Sequence, residues 1–314
     1  MPDPQPIRSF YNVPGWFRWL DKTMFDALLG AQAGGPSGDI VELGVYLGKS
    51  AVVLGEYLRD GDRLVVVDLF GTDPGDYGPA RTAHEANREE NARSYATLER
   101  GAFEANYLAL HPELPVVVTG PSSSVVDHVR PGTARFVHVD AGHLYDNVRE
   151  DVDNARNLLA PDGIVVFDDY RSEHTPGVAA AVWGAVETGG LRPFALSVNK
   201  FYGTYGDSTP YLDALRELVD SDVRYRSEVQ QIKGHRVLRV NQGPSGPARV
   251  GATLAEVRTV ADEIVERVVA QTRPPEPEPQ PEPALPTRVG GARGLARDLL
   301  PPVVTRVIRH SLRS

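Results

Sequence analysis

The stretch FVHVDAGHLYDNVREDVDNARNLLAPDGIVVFDDY, residues 136–170, holds two short β-branched and aromatic runs, FVHVD and GIVVFDD, that each stop abruptly at acid. Buried parallel strands read this way, and acids at their ends lie on the carboxyl edge of a sheet. Asp140, Asp168 and Asp169 are therefore expected to meet in space, with His143 just after the first of them. Between the runs, Val148, Val152, Ala155, Leu158 and Leu159 recur at helical spacing, and segment 147–163 closes on Pro-Asp-Gly. The pattern predicts a β-α-β unit, right-handed by the usual rule.

Working outward, the same alternation of strand and helix continues. Residues 15–33 (GWFRWLDKTMFDALLGAQA) have helical spacing and yield to the loop signal GGPSG. Residues 39–58 (DIVELGVYLGKSAVVLGEYL) read as strand, glycine turn and helix, and RLVVVDLFG at 63–71 holds another strand ending in acid. Residues 82–110 are helical and polar, PVVVTG at 115–120 is a strand, and LRPFALSVNKFYGTYG at 191–206 alternates around Asn199-Lys200 like an antiparallel hairpin. The class is α/β with an antiparallel edge on a parallel sheet.

Composition narrows the function. The chain has no cysteine, which excludes disulfides, thiolate nucleophiles and zinc-thiolate sites. A net charge of −9 and the lack of a basic, aromatic-interleaved strip in the first 240 residues argue against nucleic acid and for a small substrate. Neither a spanning run nor a signal peptide is read from the sequence, so a cytoplasmic location is expected. Residues 1–240 read as one domain, followed by a linker at 241–251 and an amphipathic helix at 252–271. In that helix Thr253 and Glu256 form a capping box, and Leu254, Val257, Ala261, Ile264 and Val268 make a narrow apolar seam. The seam suits either a homo-oligomer contact or packing on the chain's own domain. A Pro/Glu-rich spacer at 272–286 contains seven prolines and is expected to stay extended. The tail 287–314 sets six arginines against Asp298 among apolar residues, a pattern suited to the inner membrane face or a protein partner, or to a mobile tail.

The turn VELGVYLGKSA (41–51) is neither a phosphate loop nor a dinucleotide fingerprint. Only three residues separate Gly44 from Gly48, one too few for the former, and Glu42 stands where the latter has its first glycine. An acid followed by a loose glycine turn suits a cationic, phosphate-free nucleotide such as S-adenosylmethionine, whose ammonium Glu42 would face directly or through water. Asp68, 26 residues further on, would accept the ribose hydroxyls. The candidate cofactor residues are Glu42, Gly44, Tyr46, Gly48, Ser50, Asp68, Ser122 and Asp140, with Ser122 and Ser123 placed to meet the adenine.

From VELGVYLGKSA through VVVDLFG and VVVTG to LLAPDGIVVFDDY, the chain resembles class I S-adenosylmethionine-dependent methyltransferases over roughly residues 10–205. Within them it is similar to the metal-dependent sugar O-methyltransferases of macrocin and mycinamicin type. The resemblance implies a Rossmann-like, seven-stranded, mostly parallel sheet with helices on both faces. It also implies a magnesium ion, or another divalent cation, held by Asp140, Asp168 and Asp169, with His143 as general base. An oxygen-bound hard cation would lower the pKa of an acceptor hydroxyl, and its charge would make three converging carboxylates tolerable. The usual D-G-D-H of these enzymes is Asp140-Ala141-Gly142-His143 here, so the second carboxylate is missing and the base role falls on His143. His138 reads as a core histidine and His174 as a solvated loop residue. Two other readings stay open: a non-catalytic scaffold that retains the cofactor fold, and an iron-dependent hydroxylase.

Overall fold

A computed structural model describes residues 6–72, 95 and 98–243. The β-branched runs pair as read. Strands β1 (Asp39–Leu43), β2 (Leu64–Asp68), β3 (Val116–Thr119), β4 (Ala134–Val139) and β5 (Leu159–Phe167) are parallel. The hairpin of β6 (Arg192–Leu196) and β7 (Phe201–Thr204) joins with β7 antiparallel to β5. Two further strands, β8 (Tyr225–Ile232) and β9 (His235–Gln242), extend the sheet to the order β3-β2-β1-β4-β5-β7-β6-β9-β8. The α/β class and antiparallel hairpin are as expected, and the described residues form nine strands where seven were anticipated.

Alternation along each strand builds two cores. Ile40, Val66, Phe136, Val166 and Tyr202 face α1 (Trp19–Ala31), α2 (Lys49–Gly55), α3 (Arg100–Leu108) and α6 (Thr209–Ser221). Val41, Val65, Val137, Val165 and Phe167 face α4 (Tyr145–Leu158) and α5 (Pro176–Thr188). Period-2 burial on both faces is why these strands are apolar throughout. Because β1 is flanked by β2 on one side and β4 on the other, the order of strand succession reverses there. A crevice therefore opens at the carboxyl ends of the strands, the place where open α/β sheets bind ligands.

The β4–α4–β5 unit is the one predicted, with the helix ending at Leu158 and residues 159–163 already extended. Much of the predicted 82–110 helix, and all of the 252–271 helix, the 272–286 spacer and the 287–314 tail, lie outside the described residues. No helix among the described residues is long and apolar enough to cross a membrane.

Candidate active site

A cavity of about 640 Å³ opens at the carboxyl edge of the sheet, within the range of roughly 300–1,000 Å³ usual for small-molecule sites. Of the residues expected to hold the cofactor, Gly44, Tyr46, Ser50, Asp68 and Ser122 line it. The turn after β1 is shaped by Gly44 at φ 80°, where a Cβ would overlap the Asp140 carbonyl, so only glycine lets β1 and β4 end side by side. Asp68 clamps this turn from the end of β2. Its Oδ2 accepts the N–H groups of Val45 (2.7 Å) and Tyr46 (2.9 Å), and its Oδ1 accepts that of Phe70 (2.8 Å). Burial pushes this carboxyl above its ordinary range while the backbone donors pull it back. Tyr46, itself at φ 48°, stacks on Trp16 at 5.1 Å; that indole lines the cavity yet is 77 % exposed.

The lining also carries Asp140, His143, Asp168 and Asp169. The predicted convergence is real but divided. Potential ligand atoms of Asp140, His143 and Asp169 lie within 4.8 Å of one another, as do those of His138, Asp140 and Asp168, so the two members of the acidic pair fall in different groups. Asp169 sits at φ 54°. His143 contacts it (Nε2 to Oδ2, 3.3 Å), and with the Ser172 hydroxyl holds its carboxyl down at about 2 despite burial. Asp140 is pushed up to about 8 by burial and by the negative charge of Asp168.

Sequence reasoning missed Lys200. Register explains its place: Phe201 pairs with Phe167 in the antiparallel β5–β7 ladder, so the residue before Phe201 comes opposite Asp168, the residue after Phe167. Lys200 is 1 % exposed, and its ammonium forms an ion pair with Asp168 Oδ2. It also donates to His138 Nε2 at 2.9 Å, and His138 Nδ1 meets Glu42 Oε1 at 2.8 Å. Because an ammonium can only donate, His138 must carry its proton on Nδ1. Burial would lower the Lys200 pKa, but Asp168, Asp140 and Asp21 hold it above the ordinary lysine value. Burial, then Lys200, keeps His138 below its own. No local signal marked this lysine; only strand register, a long-range property, does so.

Two expected cofactor residues lie off the cavity wall. Glu42 is fully buried and turned to His138 rather than lining the cavity, and burial pushes its carboxyl up to about 8. Gly48 caps α2 at φ 89°, where a Cβ would press on the Phe103 ring; it shapes the turn rather than the wall. His138 is buried, as read, but is wired into the Glu42–Lys200 chain rather than merely packed. His174 lines the cavity, its ring 6.5 Å from that of His143. The carboxylate-rich donor set of Asp140 and Asp169 fits a hard divalent cation, and a cation beside Asp140 would relieve the repulsion that raises its pKa.

Residues 41–170 match the family model described as a methyltransferase domain. No curated relative matches the chain in sequence. Similar solved structures include the O-methyltransferase NovP, at 20% identity over 60% of this chain and 81% of that one, with a TM-score of 0.46. CalS11, a TDP-rhamnose 3'-O-methyltransferase of calicheamicin biosynthesis, has 22% identity over 60% and 80%, with a TM-score of 0.41. A putative O-methyltransferase from Klebsiella pneumoniae has 15% identity over 62% and 84%, with a TM-score of 0.40. None of the three is similar enough to transfer a substrate. The family match is a likeness to methyltransferase domains over 130 of the 314 residues.

Proposed function

We propose that this protein is a methyltransferase that moves the methyl group of S-adenosylmethionine to a hydroxyl of a sugar or glycosylated small molecule, with a divalent cation, Mg²⁺ by its hard-ligand preference, at the acids of the cavity. The observation that carries this reading is the union, in one cavity, of the Asp68-clamped glycine turn with the strand-end acids and His143. The turn residues Gly44 and Tyr46, with Ser50, Asp68 and Ser122, would hold the methyl donor. Asp140 and the acidic pair Asp168 and Asp169 are the residues available to hold the ion. When bound, such an ion would lower the pKa of an acceptor hydroxyl and fix its oxygen.

His143 takes the hydroxyl proton as methyl transfer proceeds. Its contact with Asp169, a carboxylate held at about 2 and hence ionised at neutral pH, orients the ring and favours the imidazolium that proton uptake produces. Gly142 leaves no second carboxylate in this loop to compete for that task. The test is methyl transfer to a panel of glycosides with added Mg²⁺ and with EDTA. Mg²⁺-dependent turnover supports the reading, EDTA-insensitive turnover removes the cation from it, and an oxygen requirement would favour the hydroxylase alternative instead.

A further inference from the structure

We infer that Lys200 is a built-in cation that takes Asp168 out of the ion's ligand set, so that a divalent ion in this cavity rests on Asp140 and Asp169. This rests on the metal-assisted reading above and alters which residues carry it. Both oxygens of Asp168 are already engaged: Oδ2 by the Lys200 ammonium, and Oδ1 by the backbone N–H of Asp169 at 2.7 Å. Lys200 cannot swing away to release it. It is 1 % exposed, its ammonium lies 5.3 Å from the centre of the Phe17 ring, and its other contact is His138, itself fully buried and tied to Glu42. Breaking the Asp168 pair would strip the buried ammonium of its ion-pair partner, a strongly unfavourable change.

Like charges then decide the rest. A fixed ammonium on Asp168 repels a second cation drawn to the same carboxylate, so an ion is better accommodated on the side away from it. Asp169 offers that side. Its left-handed backbone and its contacts with His143 and Ser172 direct it into a group with Asp140 that excludes Asp168. Asp168 thereby becomes a positioning residue, the outer end of a buried Asp168–Lys200–His138–Glu42 chain that ties β5, β7, β4 and β1 together beneath the cavity.

The test is Mn²⁺ binding to the full-length protein with S-adenosylhomocysteine present, read from the free-ion electron paramagnetic resonance signal, with melting temperature as the check on folding. The paired variant Asp168→Asn with Lys200→Met removes one charge of each sign and is expected to keep the wild-type Kd to within about threefold. Asp169→Asn is expected to weaken binding at least about tenfold. Lys200→Met alone, which removes the repulsion, is expected to tighten binding about tenfold, and Lys200→Arg to restore the wild-type Kd. Loss of binding in the folded paired variant, or an unchanged or weakened Kd in folded Lys200→Met, overturns the inference; either variant decides it if the other does not fold. A wild-type protein that methylates with EDTA present and binds no Mn²⁺ overturns the metal reading itself and this inference with it. Wild-type binding that the paired variant loses overturns this inference alone.

Discussion

His143 and Asp151 are single residues whose chemistry can be isolated. His143→Gln keeps the ring's approximate size without a base, so turnover should fall by about 10²- to 10⁴-fold and lose its rise with pH, while affinity for S-adenosylhomocysteine stays unchanged. An unaltered pH–rate profile removes His143 as base. Asp151, on α4, is fully buried, and burial pushes its carboxyl up to about 7 against the pull of the Ser122 hydroxyl. A folded-state pKa above the unfolded one means stability is fullest below the unfolded value and declines as pH rises toward 7. Asp151→Asn should therefore melt at nearly the wild-type temperature at pH 4.5 and roughly a few degrees higher at pH 8, as scanning calorimetry would show. At this scale the strand-end acids were legible in the sequence because a buried apolar run that stops at acid leaves little doubt where the acid points. Lys200 and Asp151 were not, since an isolated charged residue carries no sign of the partner or burial that tertiary packing will give it.

The turn between β1 and α2 acts as an element, held open by glycine and closed by Asp68. Gly44→Ala adds a Cβ that overlaps the Asp140 carbonyl at a left-handed φ, and should cost about 2 kcal/mol or more in urea denaturation. Asp68→Asn replaces an anionic acceptor of backbone N–H groups by a neutral one, so affinity for S-adenosylhomocysteine should fall about tenfold or more in calorimetry, with a smaller loss of stability. The turn itself could be read from glycine spacing. What spacing could not reveal is that Glu42, one strand position before Leu43, points beneath the sheet's crevice to His138, its registered neighbour on β4. Facing direction follows from pairing, and pairing is not local.

For the whole molecule, the described sheet, both cores and the cavity are built from residues no later than 243. A chain ending at Val250 should therefore keep its melting temperature and its affinity for S-adenosylhomocysteine. Sedimentation of the same truncated chain tests whether the 252–271 seam joins copies, an unchanged oligomer ruling it out. The β8–β9 extension escaped sequence reading because β8 is largely exposed on both faces, so RSEVQQI shows no clean alternation, and a strand recruited by its neighbour carries little pattern of its own. The central strands, buried on both faces, advertise themselves. Trp16 offers a practical return on the same architecture. One of three tryptophans in the chain, it projects into water at the cavity rim while stacked on Tyr46. Occupancy of the cavity will change the polarity around its indole, so the intrinsic emission of the unlabelled protein becomes an optical gauge for screening acceptors.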